Sequence, residues 1–328
     1  MAIRKGNSLF FDRVGITSSA CAGGLTEAQT KYHGMFDYLD KDDRFGQENF
    51  ELAESAMVGL TLQNLFERGG ECDLIFGGDL TNQCIATNYG VTDFRIPVLG
   101  LYSACSTITE GLLIGAMAVD SGCSDKAACI ASSHFCTAER QYRFPLQYGA
   151  VRTPTSQRTA TACGGFTLER SKGSLKIKGG RIGTIEDKGI TDANNMGGAM
   201  AYAAYATISG FLRESNTSVS DYDQIITGDL GQVGSEILRD LFRRDNLDIS
   251  HRHTDCGALL YEGVDGVNSG GSGAGCSAAV MAGHILPKLR SGEWKDILFA
   301  ATGALLSQTT TGQQRSIPSI SHLVWIGA

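Results

Sequence analysis

Short apolar runs alternate along the chain with longer stretches in which apolar positions recur every three or four residues, and this rhythm predicts an α/β protein. A helix is predicted from Glu48 to Arg68, with Phe50, Leu52, Ala53, Ala56, Met57, Leu60 and Leu65 on one broad face and Gly69-Gly70 to end it. A strand follows at Asp73 to Phe76, then a second at Ile96 to Leu101 with Pro97 near its start. A helix of small residues is predicted from Ser106 to Ser121, and a strand from Ala127 to Ala131.

The second half repeats this order. Cys72-Asp73-Leu74-Ile75-Phe76-Gly77-Gly78-Asp79-Leu80 reads against Tyr222-Asp223-Gln224-Ile225-Ile226-Thr227-Gly228-Asp229-Leu230, each a strand, a Gly-Asp-Leu turn and a helix start. Cys105-Ser106 opens a helix that ends at Ser121-Gly122 and leads to a strand at 127. Cys276-Ser277 opens one that ends at Ser291-Gly292 and leads to a strand at 297. Matches in register at this spacing mark an internal duplication. Two homologous α/β halves are expected, 1–171 and 172–328, joined where Glu169-Arg170-Ser171-Lys172-Gly173 reads as a turn between strands.

Composition narrows the function classes. Of 328 residues 42 are Gly, nearly double the usual share of about 7%, so close backbone approaches are expected. A net charge of −7 with scattered Lys and Arg leaves no basic footprint for nucleic acid. The N-terminus shows no secretory signal, and the longest apolar run, Ile297 to Leu306, is far shorter than the ~18 residues of a membrane span. None of the ten cysteines forms a C-x-x-C pair. Free thiols in a reducing compartment are expected, most of them buried as small apolar residues.

Three segments carry candidate chemistry. In Leu101-Tyr102-Ser103-Ala104-Cys105-Ser106-Thr107 a strand runs into a helix with Cys105 at the turn. A thiol at a helix N-terminus is expected to have a lowered pKa, and the free N–H groups there can cradle an anion. Cys105 therefore suits a nucleophile or a carboxylate-binding site, a buried structural cysteine being the plain alternative. Gly273-Ala274-Gly275-Cys276-Ser277 reads as a close-packing device. In Gly77-Gly78-Asp79-Leu80 the Asp79 carboxylate reads as a helix cap or as part of a site beyond a strand's C-terminal end, where α/β sheets bind ligands. Its twin Asp229 fits capping as well. Ser132-Ser133-His134 through Arg140, Arg143 and Pro145 follows a strand with one His, two Arg and three aromatics. Arg140 and Arg143 can pair with carboxylates bidentately, or the segment is a lid or interface held by salt bridges. His251 and His253 lie in a charged stretch and read as surface residues. His284 falls in a helix, and no glycine cluster has nucleotide-binding spacing.

Together these segments resemble the thiolase and ketoacyl-synthase fold, two repeats of a five-stranded sheet with helices packed as a five-layer αβαβα sandwich. More closely, the whole chain is similar to the stage V sporulation protein AD family. The likeness is carried by Gly78-Asp79-Leu80 with Asn82-Gln83, Ala104-Cys105-Ser106-Thr107, Ser132-Ser133-His134, Arg143-Phe144-Pro145, Asn195-Met196-Gly197, Asp255-Cys256-Gly257 and Ala301-Thr302-Gly303-Ala304.

The resemblance implies a non-catalytic protein that binds dipicolinic acid (pyridine-2,6-dicarboxylic acid), free or as its calcium chelate, with no cofactor of its own. It implies work with the membrane subunits of the SpoVA channel complex, in dipicolinate uptake during sporulation and its release in germination. It also implies a homodimer and a soluble cytoplasmic place in the developing spore, at the inner membrane through partners. The family pocket maps onto Asp79, Cys105 and Pro145, with His134, Arg140 and Arg143 as further candidates. The fold also implies a rival reading, an acyltransferase forming a thioester on Cys105. Such enzymes take a base and a carbonyl activator, generally His with His or Asn, from second-half turns that here read Thr227-Gly228-Asp229-Leu230 and Gly270-Gly271-Ser272-Gly273, without His.

Overall fold

The computed structural model describes residues 2–142 and 152–328. Two five-stranded units share one strand order. In the first, β1 (Val14–Gly23), β2 (Leu74–Gly78), β3 (Val98–Gly100), β4 (Lys126–Ser133) and β5 (Ala162–Arg170) lie in the order β3-β2-β4-β5-β1. In the second, β6 (Leu175–Arg181), β7 (Gln224–Gly228), β8 (His253–Asp255), β9 (Asp296–Ala304) and β10 (Ser319–Gly327) lie in the order β8-β7-β9-β10-β6. Strand for strand the two orders are the same. The units meet where β6 pairs antiparallel with β1 through Leu175↔Ile16 and Lys176↔Gly15, after a turn in which Ser171 and Gly173 take left-handed backbone angles.

The helices begin and end where side chains and glycines permit. Asn49 caps α1 (Phe50–Gly69) by accepting the Leu52 N–H at 2.9 Å, and Gly70 at φ 77 closes it. After β2 come α2 (Ile85–Val91) and then α3 (Thr107–Ser121), which Gly122 ends at φ 85. After β4 comes α4 (Phe135–Tyr142). In the second unit α5 (Met196–Ser215) and α6 (Gly231–Arg244) occupy the outer face, and α7 (Cys256–Leu260) follows β8. Next, α8 (Ala274–Val280) runs through a π turn at Met281–Ile285 into α9 (Leu286–Arg290). The π turn falls just before Pro287, which has no N–H for an ordinary helical bond.

Three apolar clusters make the layers visible. One lies between α1 and the first sheet, with Met57, Leu62 and Leu65 against Ala20, Ala22 and Ile130. Another lies between α5–α6 and the second sheet, with Phe211, Leu238 and Phe242 against Leu298 and Ala300. The largest surrounds α3 and α8, which form a middle layer touching strands of both units. This is the expected αβαβα sandwich. A helix covered on both faces needs small side chains, and α8 reads Ala-Gly-Cys-Ser-Ala-Ala-Val, every residue buried. The fit is close enough that a Cβ on Gly275 would stand 1.8 Å from the Ala162 carbonyl oxygen, and one on Gly164 would stand 2.3 Å from the Ala278 carbonyl carbon.

Most cysteines are buried: Cys21, Cys72, Cys84, Cys129, Cys163, Cys256 and Cys276 are closed off, Cys105 and Cys136 are half-buried, Cys123 is exposed, and all ten are free. His253 differs from its expected surface position. It sits in β8 at 6% exposure, because β8 is the sheet edge that α6 covers.

Gly275→Ala is expected to cost about 1–3 kcal/mol through overpacking, lowering the thermal midpoint by several degrees. Gly34→Ala, whose added Cβ meets nothing within 4 Å, should leave it unchanged. Equal midpoints for the two variants would show that the middle layer tolerates a wider spacing.

Candidate functional site

The two units meet around a cavity of about 80 Å³. Its walls are mostly apolar: Leu80, Ala104, Ala138 and Tyr142 from the first unit, and Ala193, Met196, Met200, Ala304 and Leu306 from the second. Cys105, Glu139, Thr159, Asn194 and Ser272 supply the polar atoms. Cys105 reaches it from a single 3-10 turn, Ala104–Ser106, that leads into α3. Ala104 adopts φ 50 there, a left-handed conformation that a side chain disfavours and that active or binding sites often retain.

The thiol does not behave as a helix N-terminus alone would dictate. Burial, followed by the nearby Asp229 carboxyl, pushes the Cys105 thiol well above its ordinary range. The expected activation of Cys105 is thus reversed, and at neutral pH the side chain is a thiol.

The twin Gly-Asp-Leu turns have separate tasks. Asp79 is fully buried and its carboxylate accepts four hydrogen bonds. Oδ1 takes the Thr81 N–H at 2.8 Å and the Thr81 hydroxyl, while Oδ2 takes the Thr87 N–H at 2.8 Å and the Thr87 hydroxyl at 2.7 Å. Thr87 lies in the first turn of α2, so Asp79 performs the capping task, and it is not among the residues that line the cavity. In the second unit that task belongs to Asp255. It accepts from the Leu230 and Gly231 N–H groups at 2.9 Å each, the Ala258 N–H at 3.0 Å and the Thr227 hydroxyl at 2.7 Å. Asp229 caps nothing. At φ 83 its carboxyl turns inward to the thiols of Cys105 and Cys276 and toward the Gly273 N–H, none of which makes a well-aligned hydrogen bond to it. Burial first, then the charge of Asp255, raises its pKa well above the carboxylate range.

The other candidates fall into two groups. His134 is fully buried, its Nε2 at 2.8 Å from the Asp43 carbonyl oxygen and its Nδ1 accepting the Cys136 N–H at 3.1 Å. Those partners fix a neutral ring with the proton on Nε2, away from the cavity. Arg140 lies outside the cavity too, in a cleft with Thr81, Asn82 and Gln141, its guanidinium 2.6 Å from Glu51. Arg143 and Pro145 lie outside the described residues. Cys105 alone among the described candidates lines the cavity.

Asp79 reaches the cavity indirectly. The turn it shapes presents the Leu80 carbonyl, which accepts from Gln141 Nε2 at 2.8 Å and the Tyr142 hydroxyl at 2.6 Å, while the Asn82 N–H donates to Gln141 Oε1 at 3.1 Å. These bonds dock α4, whose Ala138, Glu139 and Tyr142 wall the cavity. On its other side α4 is held by Glu54 of α1, whose oxygens accept the Ser132 hydroxyl at 2.9 Å and the Thr137 hydroxyl at 2.8 Å. Burial first, then the charge of Asp79, pushes the Glu54 carboxyl up to about 8.

The sequence offered no sign of several members of this site. Asn194 and Met200 line the cavity without standing out in any pattern, and Asp229 looked like a cap. The internal repeat was the usable signal for Asp229, since equivalent turns of a duplicated fold converge at the junction of the halves. Among the described residues no group of three or more His, Cys, Asp and Glu is placed to hold a metal ion.

A raised carboxyl pKa means that the folded chain holds a proton the unfolded chain has released. The contribution of Glu54 to stability should therefore fall as pH rises from the ordinary Glu range, about 4.3, to about 8. Glu54→Gln removes this contribution, up to about 1.4 kcal/mol per pH unit. Urea unfolding at several pH values between 5 and 8 should give a flatter profile for the variant, and parallel profiles would contradict a buried neutral Glu54.

The family model for stage V sporulation protein AD matches residues 5–327. Stage V sporulation protein AD of Bacillus subtilis (strain 168) is 37% identical over 311 residues, covering 94% of this chain and 92% of that protein. Among solved structures, a variant of OleA from Xanthomonas campestris is similar with a TM-score of 0.59 at 11% identity, covering 97% of this chain and 99% of that one. The 3-oxoacyl-[acyl-carrier-protein] synthase III of Aquifex aeolicus VF5 is similar with a TM-score of 0.58 at 11% identity, covering 96% and 100%. At that identity the two enzymes speak for the thiolase-like fold alone, whereas the match in sequence runs through both halves and both duplicated turns. The chain belongs to the stage V sporulation protein AD family, and is a sporulation protein.

Proposed function

We propose that this sporulation protein is a non-catalytic binding protein for dipicolinic acid, free or as its calcium chelate, acting with the membrane subunits of the SpoVA channel complex in dipicolinate uptake and release. The observation that carries this reading is that Cys105 opens on an apolar cavity while its nearest titratable partner is a proton-holding acid. A nucleophilic thiol needs a base or a lowered pKa, and this site supplies neither. The buried imidazole of His253 cannot take that place. Its Nε2 donates to the Thr227 hydroxyl at 2.8 Å, and burial lowers its pKa to about 3.

The lining of the cavity has the chemistry for a small planar ligand. Leu80, Tyr142, Met196 and Met200 offer flat or pliable apolar contact to a ring, and Thr159, Asn194, Ser272 and Cys105 offer donors to carboxylates. A free dianion would meet the Glu139 carboxyl in the wall, a repulsive contact softened by Arg152, 3.2 Å from Glu139. In the calcium chelate the charges balance, and Glu139 and Asn194 are oxygen ligands of the kind calcium takes. The chelate is therefore the better fit. Asp79 serves by docking α4, since its own oxygens are committed to Thr81 and Thr87. No helix of the described residues is long and apolar enough to cross a membrane.

Calorimetry of the full chain with dipicolinate should show binding, stronger with calcium present, and no heat at millimolar ligand would overturn the reading. Asp79→Asn is expected to weaken binding by the same factor with and without calcium, because it loosens the wall rather than removing a calcium ligand. Cys105 should form no stable thioester on incubation with acyl-CoA, as read by peptide mass spectrometry. A thioester that turns over would favour the acyltransferase reading of the fold.

A further inference from the structure

Asp229 is a carboxyl group without a structural task. The turn that carries it is held by Asp255, which takes the Leu230 and Gly231 N–H groups, and by Gln157, whose side-chain amide donates to the Asp229 carbonyl oxygen at 2.6 Å. The Asp229 side chain adds nothing to that support. It is fully buried, its oxygens lack a well-formed hydrogen bond, and its backbone takes an unfavourable positive φ to bring it there. A buried polar group that is unsatisfied and reached through strain points to a functional demand. Its neighbours include the thiols of Cys276 and Cys105, and of these two Cys105 lies on the cavity wall.

We propose that Asp229 is the positioning residue of the cavity: paired with Cys105 as acid and thiol, it supports the sulfur from behind and leaves the Cys105 S–H free to donate to a carboxylate of the ligand. No bond is made or broken in this arrangement, and both protons stay on the protein at neutral pH. The groups that face Asp229 are all acids or thiols: Cys105 from the turn before α3, Cys276 from α8, and Asp255 and Cys256 at the start of α7. Burial first, then the charge of Asp255, disfavours its ionisation and outweighs the thiols of Cys276 and Cys105 and the Gly273 N–H, which favour the carboxylate. Burial first, and then this pairing, keeps the thiol protonated at the mouth of a helix. The part of the proposal that concerns the ligand rests on the dipicolinate reading, whereas the acid–thiol pair does not.

The test is the pH profile of Cys105 alkylation by iodoacetamide in the full chain, read on the Cys105 peptide by mass spectrometry, with exposed Cys123 as internal reference. In the unaltered protein the Cys105 rate should begin to rise at a clearly higher pH than that of Cys123. In Asp229→Asn the first proton lost at the pair is the thiol's own, so the Cys105 rate at pH 8.5 should rise about tenfold, the effect of one pKa unit. Coincident profiles for Cys105 and Cys123 would overturn the pair, and this measurement needs no variant to fold. An unchanged rate in a folded Asp229→Asn would overturn it as well. Calorimetry with calcium dipicolinate separates the second claim. About a tenfold loss of affinity is expected in Asp229→Asn, and wild-type binding matched by the variant would overturn the role toward the ligand. No binding by the wild type would instead overturn the earlier reading of the cavity and leave the pair to be judged by alkylation.

Discussion

The structure depends on fitting a layer of helices between two sheets. An outer helix needs one apolar face, but α3 and α8 are pressed on both sides, and their small residues set how near the sheets can come. Gly275 against the Ala162 carbonyl and Gly164 against Ala278 mark the limiting contacts. The high glycine content is in this sense a packing requirement. Because the two middle helices belong to different halves, their entry turns converge: the Cys105 turn that opens α3 lies beside the Gly273 turn that opens α8, and Asp229 faces both. The cavity occupies that convergence.

Duplication supplies two copies of each turn, and only one copy of each needs to support the fold. In the first half Asp79 keeps the local task, holding Thr81 and Thr87 and, through Leu80 and Asn82, the helix that walls the cavity. In the second half Asp255, from the neighbouring strand, has taken over the clamp, which releases Asp229 to face Cys105. Near-identical tripeptides thus end in opposite roles, decided by which carboxylate reaches the backbone N–H groups first.

Much of the fold was legible in the sequence because it rests on periodicity and on punctuation by glycine. Gly70 and Gly122 end helices where the pattern stops, and the paired order of strand, Gly-Asp-Leu turn and Cys-Ser helix gave the two matching strand orders. The site was legible only in part. Cys105 stands out as a strand-to-helix cysteine, yet its protonation follows from burial and from a residue 124 positions later, neither of which a local motif contains. Arg140 and His134 are chemically suggestive types whose partners, Glu51 and the Asp43 carbonyl, lie far away in sequence. His253 sits in a stretch rich in charge, and only the position of β8 at an edge covered by α6 accounts for its burial.

The arrangement of the cysteines has a consequence for chemical durability. Oxidants and electrophiles attack thiolate, and the fraction present falls tenfold with each unit by which the pKa exceeds the ambient pH. Burial pushes Cys21 up to about 12 and raises Cys129, Cys163, Cys256 and Cys276 strongly, so almost none of these side chains exists in the reactive form. A chain with ten free thiols would ordinarily age through slow oxidation. Here close packing itself acts as the preservative, and long-term damage is confined to the few sulfurs that solvent can reach, Cys123 first among them.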